Sequence, residues 1–182
     1  MIRREFIAGI GSAAAWPVVA RAQQGKRVRR IGVLMQLDEN DPLSKSIVSA
    51  FTRTLADLGW TDDRNVRMEF RWAGGDIDRM RSLAQELVRW QPDIIVPYGT
   101  PATASVQRET RTIPIVFASV ADPVASGLVE RLDRPSGNIT GFGILEPSLG
   151  GKWLELRSEI APGLNRVAIM FNPDTNRAQQ PP

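Results

Sequence analysis

The sequence lacks two residue types altogether, because none of its 182 residues is a cysteine or a histidine. Without cysteine the chain forms no disulfide and carries no thiol nucleophile. Without histidine there is no Ser-His-Asp triad, and the two absences together exclude zinc sites built from Cys and His. Binding functions remain, as does catalysis by carboxylates or hydroxyls. The absence of cysteine is also compatible with an oxidising compartment.

The chain has little excess charge of either sign, despite a pI near 9.9. It contains 23 Lys and Arg against 20 Asp and Glu. Three arginines and one glutamate lie in the first 22 residues, which leaves 20 basic and 19 acidic residues in the remainder. Apart from Lys26-Arg27-Val28-Arg29-Arg30, the basic residues of this remainder are mixed with acidic ones, and no basic face with interleaved aromatics is present. We therefore expect no nucleic-acid partner.

Long apolar runs are also lacking, and the longest mild one lies near the start. Arg3 and Arg4 precede an apolar stretch over 6–20, which Ala20-Arg21-Ala22 follows. A basic start, a short apolar run and an A-x-A site are typical of a cleaved signal peptide. The prediction is export to the periplasm with cleavage after Ala22. Residues 3–7 also resemble a twin-arginine signal, so both export routes stay open. The alternative is an amphipathic N-terminal helix of a cytosolic protein.

Beyond residue 29 the hydrophobic pattern alternates between strand and helix periods. Short loops between such segments predict an α/β fold, a doubly wound parallel sheet with helices on both faces. The predicted strands are Arg29–Gln36, Asn65–Trp72, Asp93–Val96, Pro114–Ala118, Asn138–Gly141 and Arg166–Phe171. The predicted helices are Ser44–Leu58, Asp76–Trp90, Thr100–Thr110, Pro123–Arg131 and Pro147–Ile160.

Several loops that leave the strands share an X-Pro pair, including Asp41-Pro42, Thr100-Pro101 and Asp122-Pro123. Such pairs are typical of a helix N-cap followed by a first-turn proline. Each pair alone needs no ligand to explain it. In a parallel sheet, however, all of them meet at the carboxyl edge, where ligands bind.

These loops predict a site for a small zwitterion such as an amino acid. Helix N-termini carry partial positive charge that suits a carboxylate, and Gly99 lets a ligand approach the backbone beside Thr100. Asp122 suits an ammonium group, Ser119 supplies a hydrogen bond to either end, and Tyr98 supplies a stacking face. No glycine-rich phosphate loop or dinucleotide motif is complete, and the acidic pairs read as solvated surface. We therefore expect no catalytic residue, no metal and no cofactor.

Taken in order, the motifs resemble one family. "RRIGVL", "AFTRTLADLGW", "PDIIVPYGTPAT", "TIPIVFASVADPVASGLV", "RPSGNITGF" and "GKWLELRSEIAPGLNRVAIMFNP" follow one another as in substrate-binding proteins of ABC transporters of the TrpX-like (ABC_sub_bind) type. The resemblance runs from about Arg29 to Pro173.

The resemblance implies the fold of a type I periplasmic binding protein, in which two lobes close on a ligand. It implies a small-molecule ligand, a membrane permease as partner and a monomer. It places the loops over 35–42, 98–100 and 119–123 at the cleft, which adds Met35 and Gln36 to the expected contacts. The expected division is a signal peptide over 1–22, a flavodoxin-like ligand-binding lobe over 29–145, a crossover helix over 146–165 and the start of a truncated second lobe over 166–182.

Two other functions stay open on the sequence alone. An exported α/β hydrolase or isomerase using Asp and Ser would share the scaffold, because a fold does not determine a function. An inactive truncated remnant is the other alternative.

Overall fold

The structure is a computed structural model, and it describes residues 27–135, 137–145, 148–161, 163, 166 and 168. The predicted signal peptide lies outside these residues. So does most of the predicted strand Arg166–Phe171.

Nine helices and strands make up the described part of the chain. The strands are β1 (Arg29–Met35), β2 (Val66–Trp72), β3 (Ile94–Tyr98), β4 (Ile115–Ala121) and β5 (Ile139–Leu145). The helices are α1 (Pro42–Asp57), α2 (Ile77–Arg89), α3 (Thr100–Glu109) and α4 (Ser148–Ile160).

The five strands form one sheet in the order β2-β1-β3-β4-β5, and every neighbouring pair is parallel. The chain moves outward in one direction from β1 to β2 and then crosses to β3 on the other side of β1. Right-handed crossovers therefore place α1 on one face of the sheet and α2 with α3 on the other. This is the flavodoxin-like order, and it confirms the predicted doubly wound α/β class.

The core lies mainly between the sheet and the helix pair α2–α3, which pack against each other. It is built from alternate strand residues and one stripe of each helix, and its members are Leu34, Ala73, Met80, Ala84, Leu87, Ile95, Ala102, Val106, Ile115, Phe117, Val120, Leu128, Val129 and Ile139. The α1 face is less covered. On β5, Phe142 is 75% exposed and Ile144 59% exposed to solvent.

The predicted short helix Pro123–Arg131 is wrong. The backbone N–H of Ser126 donates to the carbonyl of Asp122 at 2.9 Å, which closes a single α-type turn. Gly127, at φ +67°, then ends it: the Leu128 N–H bonds to the Pro123 carbonyl and the Gly127 N–H to the Val124 carbonyl. This is the hydrogen-bond pattern of a Schellman motif, so the first turn is also the last.

Two strands also end later than predicted. β4 continues to Ala121 and β5 to Leu145, whereas the pattern placed their ends at Ala118 and Gly141. The apolar alternation breaks at both points, and the structure shows why at β4, where the ladder carries a bulge between Ala118 and Val120. No helix in the described ranges combines the length and apolarity that crossing a membrane needs.

Asp93 ties the amino end of β3 to the first strand. Its carboxylate accepts from the backbone N–H of Arg30 at 2.9 Å and from the Arg29 guanidinium at 3.2 Å, and Arg27 lies 3.1 Å away. The Arg30 hydrogen bond lowers the pKa of Asp93 most, burial opposes it, and the Arg29 and Arg27 guanidinium groups add to the lowering, so the pKa stays below its ordinary value.

This lowered pKa predicts a pH-dependent contribution to stability. Because the folded pKa lies below the unfolded one, the carboxylate stabilises the fold above about pH 4, and this contribution is lost as pH falls through the folded pKa. In urea unfolding, Asp93→Asn should therefore be less stable than the wild type at pH 7, and this deficit should be smaller at pH 3. Asp57→Asn, at the exposed end of α1, is the control. An Asp93→Asn deficit of equal size at both pH values would contradict the assignment.

Candidate functional site

The site begins where β1 and β3 lie side by side at the carboxyl edge of the sheet. The chain leaves these two strands toward opposite faces, and this reversal opens a crevice between the two loops. The backbone N–H of Gln36 donates to the Tyr98 carbonyl at 3.4 Å, and the Gln36 carbonyl accepts from Gly75 at 2.7 Å. The loops after β1, β2 and β3 are therefore joined through one residue.

The start of α3 differs from the sequence prediction in one respect. The N-cap is Gly99, not Thr100, and Thr100 is the first helical residue. Gly99 has φ +94° and ψ 157°, a region essentially restricted to glycine, and it offers no side-chain cap. A Cβ at this position would overlap the carboxamide of Gln36, which lies directly over the glycine. The Thr100 N–H at the start of α3 is thus left without a side-chain cap from Gly99, and Pro101 after it has no N–H.

Thr100 and the end of β4 are linked by a hydrogen bond. The Thr100 Oγ1 accepts from the backbone N–H of Ala121 at 3.2 Å, and the Gly99 N–H donates to the Ala118 carbonyl at 2.9 Å. A threonine hydroxyl that accepts one hydrogen bond still has its own proton to donate. The link fixes the Thr100 oxygen and leaves this proton for a partner in the crevice.

Ser119 lies within β4 rather than in the loop after it. Ala118 pairs with Phe142 and Val120 pairs with Gly143, so Ser119 is the extra residue of a bulge. Its φ of +59° is left-handed, which is uncommon for a residue other than glycine. The bulge keeps Val120 in the core and leaves Ser119 half-buried at the edge. Strained backbone of this kind clusters at functional sites, although Asp63 and Gln91 also have positive φ and lie away from this edge.

Asp122, the predicted ammonium ligand, caps the turn that follows β4. One carboxylate oxygen accepts from the Ala125 N–H at 2.9 Å, and the backbone is left-handed at φ +41°. The sequence assigned Asp122-Pro123 to a helix start, and the cap forms although the helix does not. Among the residues that the structure describes, only Oδ1 is engaged, so Oδ2 stays available to a ligand.

The structure brings six of the seven predicted contacts to this edge. Gln36, Tyr98, Thr100, Ser119 and Asp122 are half-buried there, and Gly99 lies beneath Gln36. Met35 does not reach the surface: it is 1% exposed and packs in the interior, because it is still within β1. That these residues contact a ligand stays a prediction. Within the described ranges no cluster of three or more acidic residues is arranged to hold a metal ion.

A cavity of about 410 Å³, which no sequence pattern predicted, lies beside Gln36. It lies between the β1–α1 loop and the β2–α2 loop, and Pro101 of α3 closes one side. The pair Gly74-Gly75 forms part of its wall, with both residues at positive φ. A glycine pair at the end of a parallel strand was the only available signal.

A second cavity of about 660 Å³ lies elsewhere, between the turn segment after β4 and the start of β5. Arg111 and Asn138 line it, so it belongs to the amino end of β5 rather than to the crevice. Its larger volume does not make it the better candidate, because ligands of open parallel sheets bind at the carboxyl edge.

Comparison with known proteins identifies the chain. The family described as ABC transporter substrate binding protein matches residues 30–180. The chain belongs to this family. The predicted resemblance is thereby confirmed.

Relatives of this substrate-binding family member cover the same region. A tyrosine-binding protein of Clostridioides difficile is 31% identical over 147 residues, which are 81% of this chain and 41% of that protein. A conserved domain protein of Vibrio cholerae has a solved structure with a TM-score of 0.74 at 28% identity, covering 84% of this chain and 50% of the other. A Streptococcus pneumoniae structure in complex with L-Trp has a TM-score of 0.64 at 29% identity, covering 74% and 44%. The chain thus spans about half the length of the relatives that it matches.

Proposed function

We propose that this chain forms one wall of the ligand cleft of a periplasmic solute-binding protein, which captures a small molecule and delivers it to the membrane permease of an ABC importer. The observation that carries the proposal is the meeting of the β1, β3 and β4 ends at the crevice, with the uncapped start of α3 at its centre. Family membership supports the same function. Export by a signal peptide over 1–22, with cleavage after Ala22, is part of the proposal.

The ligand class that this edge suits is an amino acid. A carboxylate would accept hydrogen bonds from the Thr100 hydroxyl and from the Thr100 N–H, at the positive end of the helix dipole; Pro101, the next residue, has no N–H to donate. The ammonium group would face Oδ2 of Asp122, across the Ala121–Thr100 link. Two relatives support this class, since one is named a tyrosine-binding protein and the other was solved with L-Trp.

Binding without turnover is the first expected result. In a thermal-shift and calorimetry series with L-amino acids, a true ligand at about 100 times its Kd stabilises the chain by about 2.7 kcal/mol. The ligand should be recovered unchanged by mass spectrometry. Chemical conversion would favour the hydrolase or isomerase alternative. The absence of stabilisation by any amino acid would favour the inactive remnant.

Two variants test the carboxylate contact and the ammonium contact of the ligand separately. Thr100→Val removes the hydroxyl at nearly constant shape, and loss of a hydrogen bond to a charged group costs about 1.5–3 kcal/mol, roughly 10- to 100-fold in Kd. The loss of affinity should be large for an amino acid and small for its carboxamide.

Asp122→Asn keeps a capping oxygen and tolerates the left-handed backbone, so it removes only the charge. The variant should bind an amino acid more weakly than the wild type does and bind the N-acetyl derivative with unchanged affinity. Equal losses for all ligands would contradict both assignments.

A further inference from the structure

We propose that the cavity beside Gln36 is the specificity pocket, which receives the ligand's side chain and whose acidic rim excludes anionic ones. The inference rests on the proposed function, since it extends the same site. The cavity of about 410 Å³ falls within the usual range of small-molecule pockets, about 300–1,000 Å³. It adjoins the proposed carboxylate position through two shared residues: Gln36 lies over Gly99, and Pro101 follows Thr100.

The walls of the pocket are largely apolar. Leu37 contributes a half-buried side chain, Met80 closes the floor at 1% exposure, and Pro101 presents its ring from the first turn of α3. Gly74 and Gly75 add no side chain, so the entrance stays wide. Such walls favour a side chain with an apolar body, because burying it releases ordered water at little polar cost.

The rim carries two carboxylates that local turns hold in place. Asp38 accepts from the Asn40 N–H at 2.8 Å and Asp41 caps α1 by accepting from the Leu43 N–H at 2.7 Å. In each case the bond uses one oxygen, and the described residues supply no partner for the other. A neutral side chain tipped with a hydrogen-bond donor fits such a rim, whereas an anionic side chain is repelled.

Gln36 lies at the boundary between the two ends of the ligand. Its backbone is fixed by hydrogen bonds to Tyr98 and Gly75, while its carboxamide spans from Gly99 to the pocket that it lines. A carboxamide both donates and accepts, so it can contact a carboxylate on one side and a polar side chain on the other. We assign Gln36 a positioning role: its carboxamide contacts the ligand between the carboxylate and the side chain, and so directs the side chain into the pocket.

The location is tested on the full chain labelled with ¹³C at the methionine methyl groups and ¹⁵N at the amides. L-tyrosine should shift the methyl resonance of Met80, and glycine should not. Met68, half-buried on β2, serves as the internal reference. Movement of the Thr100 amide with L-tyrosine, while Met80 stays still, would overturn the pocket and leave the proposed function intact. No response of any resonance to either amino acid would overturn both.

The charge rule is tested with two ligands of nearly equal shape, 4-carboxyphenylalanine and 4-carbamoylphenylalanine. The wild type should prefer the carbamoyl compound by roughly three- to tenfold, the size expected for one like-charge pair near the surface. Asp38→Asn should reduce this preference, while Asp63→Asn, an exposed residue of the α1–β2 connection, should leave it unchanged. Equal preference for the two compounds in the wild type, or an unchanged preference in Asp38→Asn, would overturn the rim's role.

Discussion

Gly99→Ala should reduce both the stability of the chain and its affinity for an amino acid. The backbone at Gly99 has φ +94° and ψ 157°, which costs an alanine about 1–3 kcal/mol. The new methyl group would also overlap the Gln36 carboxamide. We expect the free energy of unfolding to fall by about 2–3 kcal/mol and Kd to rise by at least about tenfold, since the Thr100 hydroxyl is displaced with the helix start. Urea unfolding and calorimetry measure the two quantities.

Two controls separate the causes of this loss. The backbone at Gly127 also has a positive φ, of +67°, but the methyl group added by Gly127→Ala would meet nothing within 4 Å. It should cost about 1–2 kcal/mol of stability and leave ligand affinity unchanged. Gln36→Ala combined with Gly99→Ala removes the overlap but not the backbone strain, so the double variant should be more stable than additivity predicts. Strict additivity would mean that the two residues do not interact.

Gly141→Ala should be the most destabilising single-methyl change in the described part of the chain. Gly141 pairs with Phe117 across β4 and β5, and a Cβ there would overlap backbone atoms of Phe117. A backbone atom in a parallel ladder cannot move aside as a flexible side chain does, so the two strands must separate. We expect a loss of about 3 kcal/mol, the upper part of the range for overpacking. Thermal and urea unfolding provide the measurement.

The matched control for this prediction is Gly151→Ala on α4. A Cβ at Gly151 would meet nothing within 4 Å, and alanine is the better helix former by about 0.5–1 kcal/mol. This variant should therefore be as stable as the wild type or slightly more stable. A Gly141→Ala protein of wild-type stability would show that β5 does not pair with β4 in the register found here.

The sheet and its first three helices were predictable because their residues signal their environment locally. Asp41-Pro42 predicted the start of α1, and the carboxylate does cap that helix. The alternation over 66–72 predicted β2, which has the bounds Val66–Trp72. The predicted bounds were wrong where the conformation of a single residue changed the structure that the surrounding hydrophobic pattern indicated. Gly127 ends a helix-like run after one turn, and the Ser119 bulge carries β4 three residues further.

The candidate site was predictable in composition but not in geometry. The X-Pro pairs indicated which loops leave the carboxyl edge, and the structure places Thr100 within hydrogen-bond distance of the residue before Asp122. The exchange of roles between Gly99 and Thr100 was not predictable, because it depends on the Gln36 carboxamide from another loop. The cavity formed by residues from 36 to 101 has no local signature either.

The sequence by itself determined the α/β class, the family and the absence of thiol and imidazole chemistry, because periodicity, motif order and composition are properties of the chain alone. Only the tertiary structure decided which residues meet. The strand order β2-β1-β3-β4-β5 places Gln36 on Gly99 and opens a cavity next to them. Contacts between loops that lie tens of residues apart depend on how crossovers stack strands, and no local pattern encodes that arrangement.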